Sequence, residues 1–526
     1  MTELNKDFRV LIPTAGIGSR LGDLTKNINK SLVSVSNKPT LSHLIDQFPN
    51  NCEFVIALGY KGELVRDFLE LAYPDKKFFF GNVDIFEGEG SGLGLSLLSC
   101  EKFLQQPFIF ISCDTLVKGD IPEPNHNWMG YAQKDDLSNY RTLSIKKNSV
   151  SGIYEKGIIR DNLQPYIGIA GINDYKLFWD NMHSGGKKAI NQGEVFAMNL
   201  IRKSKSIKAY EFKWFDTGDI KGLSKARKEY SQKNGPNILE KNDEAIWFVG
   251  DDVIKFSNNT TFITNRIKRS VELKGFVPQI FSHRPNMYSY KKVSGKILSE
   301  VIDPYIFENF LKKSEEFWIE KKLTNFDQNK FQSNCMSFYK DKTFERINLF
   351  YKNFNHIDNA FFINQLRTPP LKDLLNQIDW NWISKGLPGR FHGDFHFENI
   401  LYNKKDKSFV FLDWRQDFAG NLSIGDIYYD FAKLMHGLIV NHGIIVKKYY
   451  TASWKNNFLK YDFFRKQSLV ECEKRFIQWI QEKKYDLKKV KILTGLIFLN
   501  ISALHHYPYS LLLYGLGKNL INKEIK

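Results

Sequence analysis

"IPTAGIGSRLGDLTKNINKSLV" spans Ile12–Val33. An apolar run ends at Pro13, glycines follow at 16, 18 and 22, and Arg20, Lys26 and Lys30 sit among and behind them. Glycine lets backbone amides close on an anion, and cations beside it complement the charge. The stretch reads as a cradle for a polyphosphate. Ala15, Gly16 and Gly18 face the nucleotide, Arg20 and Lys30 supply charge, and Lys26 is a solvated surface lysine. The phosphate-loop pattern GxxxxGK[ST] is absent, and GxGxxG fails because the third glycine is displaced and Arg20 occupies the loop.

Outward from the loop, short apolar runs alternate with helical spacing. "FRVLIP" (Phe8–Pro13), "EFVIAL" (Glu53–Leu58), "KFFFG" (Lys77–Gly81) and "PFIFIS" (Pro107–Ser112) predict buried strands, with "TLSHLIDQF" and "KGELVRDFLELAY" as helices between them. That alternation predicts an α/β fold: a mostly parallel, Rossmann-like sheet with helices on both faces. Ligands of such sheets bind beyond the carboxyl ends of the strands, where both the glycine loop and Asp114 fall.

The chain has 526 residues, 42% hydrophobic and 15% aromatic, enough for two to four domains with substantial cores. Net charge is +17, but the lysines are scattered, and neither an RNA-binding aromatic motif nor zinc-finger spacing is found, so nucleic acid is not expected as a partner. Five dispersed cysteines without a CxxC pair fit a reducing cytoplasm, and the first apolar run is too short for a signal peptide. Near the C-terminus, "ILTGLIFLNISALHHYPYSLLLYGLG" is broken by Asn500, His505, His506 and Pro508, which predicts a buried helix pair rather than a membrane span. The His505–His506 pair and Cys113 read as core groups.

The Ile12–Val33 segment resembles the nucleotidyltransferases that make sugar nucleotides and CDP-alcohols, whose signature runs AAGxGxRL, a lysine followed by a small residue, Leu and Val, then "KP" before a helix. Lys30 and Lys38-Pro39 fit; Thr14 replaces an alanine, and Asn29 stands where many relatives have proline. The resemblance implies a GT-A-like domain over 1–232. It further implies a base-contacting glycine loop at Gly92 and Gly94 and Mg2+ ligands at Asp114 and Asp216. Glu155 in "SGIYEKG" is implied at the acceptor. Taken alone, Asp114 reads equally as a helix cap and Arg20 as a surface arginine; the order of the pieces carries the assignment.

A polar stretch, "SQKNGPNILEKND" (Ser231–Asp243), predicts a domain boundary. "AIWFVGDDVIKF" behind it reads as a hairpin, and long helical text begins near Pro304. "HGDFHFENIL" then carries Asp394 and Asn399, five residues apart, the spacing of a catalytic loop in which Asp accepts a hydroxyl proton and Asn holds magnesium. Asp413 follows fourteen residues later at the end of "FVFLD". These pieces resemble the aminoglycoside phosphotransferase and choline kinase family. The resemblance implies a two-lobed protein-kinase-like domain over 239–526, with a small lobe at about 239–303 and a helical lobe at about 304–526. Lys255 and Glu272 are implied at ATP and Asp413 at a second Mg2+ position. One departure is the phosphate-covering loop, where "FVGDD" is short and has a single glycine.

Read in series, the C-terminal half phosphorylates a small alcohol, polyol or sugar with ATP. The N-terminal half then couples that phosphate to a nucleotide, with CTP preferred, giving a precursor for cell-surface polysaccharide. Two other readings differ in substrate or class: an anomeric sugar kinase paired with a UTP- or GTP-dependent transferase, and a nucleotidyltransferase with a non-catalytic kinase-like module. A dinucleotide-binding oxidoreductase stands third.

Overall fold

Along the strand Arg9–Pro13, Val10 and Ile12 enter one hydrophobic core while Leu11 enters another. Phe54 and Ile56 alternate with Val55 and Ala57 in the same way, as do Ile109 and Ile111 with Phe108 and Phe110. A sheet buried on both faces needs apolar residues at every position, which is why these runs do not alternate with polar ones. In the computed structural model, residues 8–158, 160–231 and 243–525 are described. They fall into two compact units, Met1–Thr260 with Phe281–Tyr290, and Thr261–Ile280 with Lys291–Lys526.

The main sheet of the first unit has nine strands among the described residues. Four are parallel, in the spatial order Phe78–Asn82, Glu53–Leu58, Arg9–Pro13, Phe108–Ile111. Leu163–Ile172 then pairs antiparallel with Phe108–Ile111, and the remaining strands form a mixed region. The parallel half matches the sequence expectation; the mixed half departs from it, because hairpin pairing such as Thr142–Lys146 with Ser149–Tyr154 leaves no crossover helix to read. Strand order reverses between Arg9–Pro13 and Phe108–Ile111, which opens a crevice at their carboxyl ends. The glycine loop leaves one of these strands and Asp114 follows the other.

The predicted hairpin forms from Glu244–Val249 and Asp252–Ser257, turning at Gly250 with φ +56°. It groups with the first unit, where Trp247 is fully buried, meets Phe68 edge-on at 5.2 Å and donates its indole N–H to Ser34 Oγ at 3.1 Å. The segment Ser231–Asp243 lies, apart from its two end residues, outside the described residues.

The second unit is mostly helical, with Pro304–Phe317, Lys342–Phe354, Ile427–Ile439, Gln467–Glu482, Leu487–Ser502 and Tyr509–Ile525 as its long helices. The last two are the helix pair expected from the apolar C-terminal text. Among the described residues, no helix is long and apolar enough to cross a membrane. A small sheet, Lys296–Ile297 with Ile400–Asn403 and Ser408–Phe411, carries the loops of interest. Trp247→Ala is expected to lower the stability of the first unit by about 3–5 kcal/mol, because it empties a large buried volume and strands a polar partner; chemical denaturation followed by fluorescence measures it.

Candidate active sites

In the first unit, Lys30 Nζ lies 3.1 Å from Asp114 Oδ2, and the Ser112 hydroxyl donates to Asp114 Oδ1 at 2.6 Å. Burial alone would raise the Asp114 carboxyl, but Lys30, the Ser112 hydroxyl and Arg20 hold it down to about 2. Burial likewise works against the Lys30 ammonium, yet Asp114 and Cys113 leave it raised. Cys113 is fully buried and pushed up to about 11 by that burial, an inert thiol.

The loop geometry follows from this pair. Gly18 has φ +73°, and a Cβ there would sit 2.7 Å from Lys30 Cβ, so the bare backbone is the passage of the lysine stem. Asn29 is fully buried; its amide donates to the carbonyls of Thr14 at 2.9 Å and Tyr60 at 2.6 Å, and its oxygen accepts from the Ser31 amide. This clamp fixes the residue before Lys30 and shows what the sequence gains by placing asparagine there. Ala15 is buried and Lys26 exposed.

Asp216 is brought to Asp114 by a two-stranded ribbon in which Thr115 is in register with Asp216. Thr217 locks the pair by donating from its amide and hydroxyl to the Asp114 carbonyl at 2.9 and 3.0 Å. A Cβ built on Gly218 would lie 2.9 Å from Arg20 Nη2, 3.0 Å from Asp216 Oδ1 and 3.2 Å from Asp114 Oδ2. One guanidinium and two carboxylates therefore converge on one point. Sequence reasoning passed over Tyr140, whose hydroxyl donates to Asp216 Oδ2 at 2.9 Å, and nothing in its loop text marks it. Two oxygen-donor side chains facing one point suit a hard cation such as Mg2+, which takes most of its remaining ligands from phosphate and water.

Gly92 and Gly94 have a packing reason of their own. A Cβ on either would strike the carbonyl of Ile190 at 2.3 Å or of Ala189 at 2.1 Å. Glu155 is half-exposed and pairs with Arg141 at 3.0 Å, and Arg141 also donates to the Gln192 carbonyl at 2.8 Å. Close by, Glu194 is 2% exposed, and neither its Oε2 nor the Tyr166 hydroxyl has a well-formed hydrogen bond.

In the second unit, Asp430 shapes the HGD loop. It is fully buried and accepts from the amides of His392 at 2.6 Å and Gly393 at 2.7 Å and from the Trp318 indole at 3.2 Å. Gly393 takes φ +86°, which favours glycine. Arg269, also buried, donates to the carbonyls of Phe391, Arg415 and Leu422, tying this loop to the one after Asp413. His392 is buried and held neutral, pushed down to about 3 by burial.

Asp394 is thereby left partly exposed. Its carboxylate meets Lys433 Nζ at 2.9 Å and His396 Nε2 at 3.5 Å, and Asn399 donates its amide to Asp394 Oδ2 at 3.0 Å. The amide oxygen of Asn399 is a hard acceptor of the kind that would suit a cation. The Leu412 amide donates to the Asn399 carbonyl at 2.7 Å, which seats Asp413 beside this loop. Asp413 itself has φ +56° and pairs with Arg266 at 3.2 Å. Lys255 is a buried residue of the strand Asp252–Ser257, with its ammonium 6.0 Å from the Tyr290 ring. Glu272 ends the helix Thr260–Glu272 and pairs with Lys321 at 3.8 Å. Among the described residues no group of three His, Cys, Asp or Glu side chains forms a metal cluster.

Comparison with known proteins finds similarity in both halves of the chain. Residues 339–464 match the phosphotransferase enzyme family APH. The N-terminal half is similar to "Bifunctional protein GlmU" of Methanocaldococcus jannaschii, 23% identical over 266 residues that cover 47% of this chain and 60% of that one. It is also similar to a UTP–glucose-1-phosphate uridylyltransferase of Staphylococcus saprophyticus, 24% identical, covering 47% and 98%. A GlmU of Methanococcus vannielii is 26% identical over 150 residues. The chain spans only 34% and 60% of the two GlmU proteins. Among solved structures, a CTP:phosphocholine cytidylyltransferase of Streptococcus pneumoniae aligns over 42% of this chain and 99% of its own, with 18% identity and a TM-score of 0.36. The chain thus joins a region similar to sugar-nucleotide nucleotidyltransferases to a phosphotransferase-family domain.

Burial pushes the Glu194 carboxyl from its ordinary 4.5 up to about 7, against the Tyr166 hydroxyl and Arg141. Between those values the folded chain binds more protons at this site than the unfolded one, so stability falls as pH rises through the window and levels off above it. Glu194→Gln is expected to remove that slope, raising stability above pH 7 by on the order of 3 kcal/mol with no gain below pH 4.5; melting curves across pH measure it.

Proposed function

We propose that this fusion of a nucleotidyltransferase-like region with a phosphotransferase-family domain phosphorylates a small hydroxyl compound with ATP and then couples the product to a nucleotide, releasing pyrophosphate. The observation that carries the first unit's part is the convergence of Arg20, Asp114 and Asp216 around Gly218, with Lys30 bound to Asp114. A phosphate oxygen of the acceptor attacks the α-phosphorus of the nucleoside triphosphate, and the bond to pyrophosphate breaks. Arg20 offsets charge on the leaving pyrophosphate. Lys30 spans the α-phosphate and the acceptor phosphate. The glycines at 16 and 18 bring the backbone close, Gly92 lies at the base, and Glu155 lies on the acceptor side. Magnesium at Asp114 and Asp216 would neutralise phosphate charge. Catalysis of this kind rests on positioning and charge neutralisation, so no covalent enzyme intermediate is needed.

For the phosphoryl step, Asp394 accepts the acceptor hydroxyl proton, Asn399 and Asp413 would hold magnesium, and Lys255 and Glu272 are the residues we assign to ATP. CTP is the proposed nucleotide, on the resemblance of the glycine-loop segment to enzymes that make CDP-alcohols. The printed name of the staphylococcal relative gives UTP for that protein, which makes a uridylyl donor the second reading. Release of pyrophosphate compared across the four nucleoside triphosphates separates the two. A cell-surface precursor made in the cytoplasm is the product class we propose.

Asp114→Ala is expected to abolish pyrophosphate release while ATP consumption continues. Asp394→Ala is expected to do the reverse, with nucleotide transfer restored by supplying a phosphorylated acceptor. Loss of both activities from either change in a folded protein would refute the serial scheme.

A further inference from the structure

Lys342 has three cations near it, Arg415, Lys433 and Arg346, and one carboxylate, Asp394. Lys433 Nζ is 2.9 Å from Asp394. Arg415 lies two residues past Asp413, and its stem packs on the HGD loop, 2.6 Å from where a Cβ on Gly393 would be. From there its guanidinium reaches the Phe338 ring, 4.9 Å from the centroid. Lys342 Nζ lies 4.3 Å from the centroid of the same ring. Arg346 follows Lys342 by one turn on the helix Lys342–Phe354. Among the described residues, neither Lys342, Arg346 nor Arg415 forms an ion pair.

The arrangement is costly without an anion. Burial, with Arg415, Lys433 and Arg346 nearby, pushes the Lys342 ammonium down to about 7, and Asp394 offsets this only in part. Phe338 belongs to a π-helical turn, Ser337–Asp341, a rare geometry that often marks functional positions. Two cations already lie over its ring. An aromatic cage for a quaternary amine needs open ring faces and no competing positive charge, and Phe338 offers neither. Lys433 holds Asp394, but Lys342, Arg346 and Arg415 have no such duty toward a carboxylate.

We propose that the phosphotransferase site takes an anionic alcohol, a hydroxyl compound that already carries a carboxylate or a phosphate, seated on Lys342, Arg346 and Arg415. This rests on the reading of Asp394 as the base of a kinase. The acceptor oxygen bonds to the γ-phosphorus of ATP, its proton passes to Asp394, and the bond from the γ-phosphorus to the β–γ bridging oxygen breaks to release ADP. The product carries the new phosphate ester beside its original anion.

The full-length protein, with magnesium and ATP, is assayed for ADP release with four classes of probe. These are choline and ethanolamine; glycerol and glucose; glycerate and glucuronate; glycerol 3-phosphate and glucose 6-phosphate. The third or fourth class is expected to exceed the neutral probes in kcat/KM by about tenfold or more, and which of the two leads tells carboxylate from phosphate. Arg346→Gln is expected to raise KM for that probe by a similar factor while KM for ATP and the melting temperature stay unchanged. Preference for choline, ethanolamine or the neutral probes overturns the inference, as does an Arg346→Gln effect confined to the KM of ATP. If no alcohol drives ADP release, the kinase reading itself falls. Calorimetry with glycerate and glycerol 3-phosphate then decides: saturable binding weakened by Arg346→Gln upholds the anion seat, and no binding overturns it.

Discussion

Lys30 and Asp114 stand 84 residues apart in the chain and meet at 3.1 Å. Two charges this shielded from water are tolerable only when paired and hydrogen-bonded. Much of the first unit's local structure serves that pairing. Gly18 lacks a side chain because the lysine stem passes there, and Asn29 grips Thr14 and Tyr60 so that Lys30 leaves the loop in one direction. Thr217 then carries Asp216 to the same place by bonding the Asp114 carbonyl. An ionised carboxylate is thus built into the fold with a fixed neighbour.

The second unit solves a similar problem by splitting it between two acids. Asp430 is consumed by backbone amides, and burial pushes its carboxyl up to about 7 even though His392, Gly393 and Trp318 all donate to it. It buys the shape of the loop. Asp394 takes no such part and keeps an exposed face, with Lys433, His396 and the Asn399 side chain around it rather than backbone amides. Arg269 answers Asp430 from the other side. Its guanidinium is spent on three carbonyls, and burial lowers it to about 9. Structural charge and available charge are therefore carried by different residues, although Asp430 shapes the very loop that presents Asp394.

This separation explains what could be read from the sequence. Continuous apolar runs such as Phe108–Ile111 announced buried parallel strands, and glycine spacing announced a loop with close backbone approach, which Gly18 shows against the Lys30 stem. The pair Asp394 and Asn399 was legible because its geometry is local, one turn of chain. Tyr140, Arg141, Lys342 and Arg346 were not, since each reaches its site from a distant element and is an ordinary polar residue in its own segment; Arg415 sits two residues past Asp413, but nothing in that text marks the ring it shares with Lys342. The mixed half of the main sheet was missed for the related reason that hairpins leave only short text between strands. Asn29 looked like a small departure from a pattern, and its role became visible only once both carbonyl partners, Thr14 and Tyr60, were placed around it.

The same distinction changes the meaning of the net charge of +17. Scattered lysines at a solvated surface add a diffuse field that salt screens within about 10 Å. Lys342, Arg346, Arg415 and Lys433 are different: Lys342 and Arg415 share the Phe338 ring, Arg346 stands one turn from Lys342, Lys433 pairs with Asp394, and all four are only partly exposed. Charge held this way is screened less and acts on whatever is bound, not only on what approaches. Every substrate in the proposed scheme is an anion, and so is every product. The clusters that draw substrates in must also let ADP and pyrophosphate go, which favours cations that are half-buried and mutually repelling, such as Lys342, over cations fully neutralised by the protein itself.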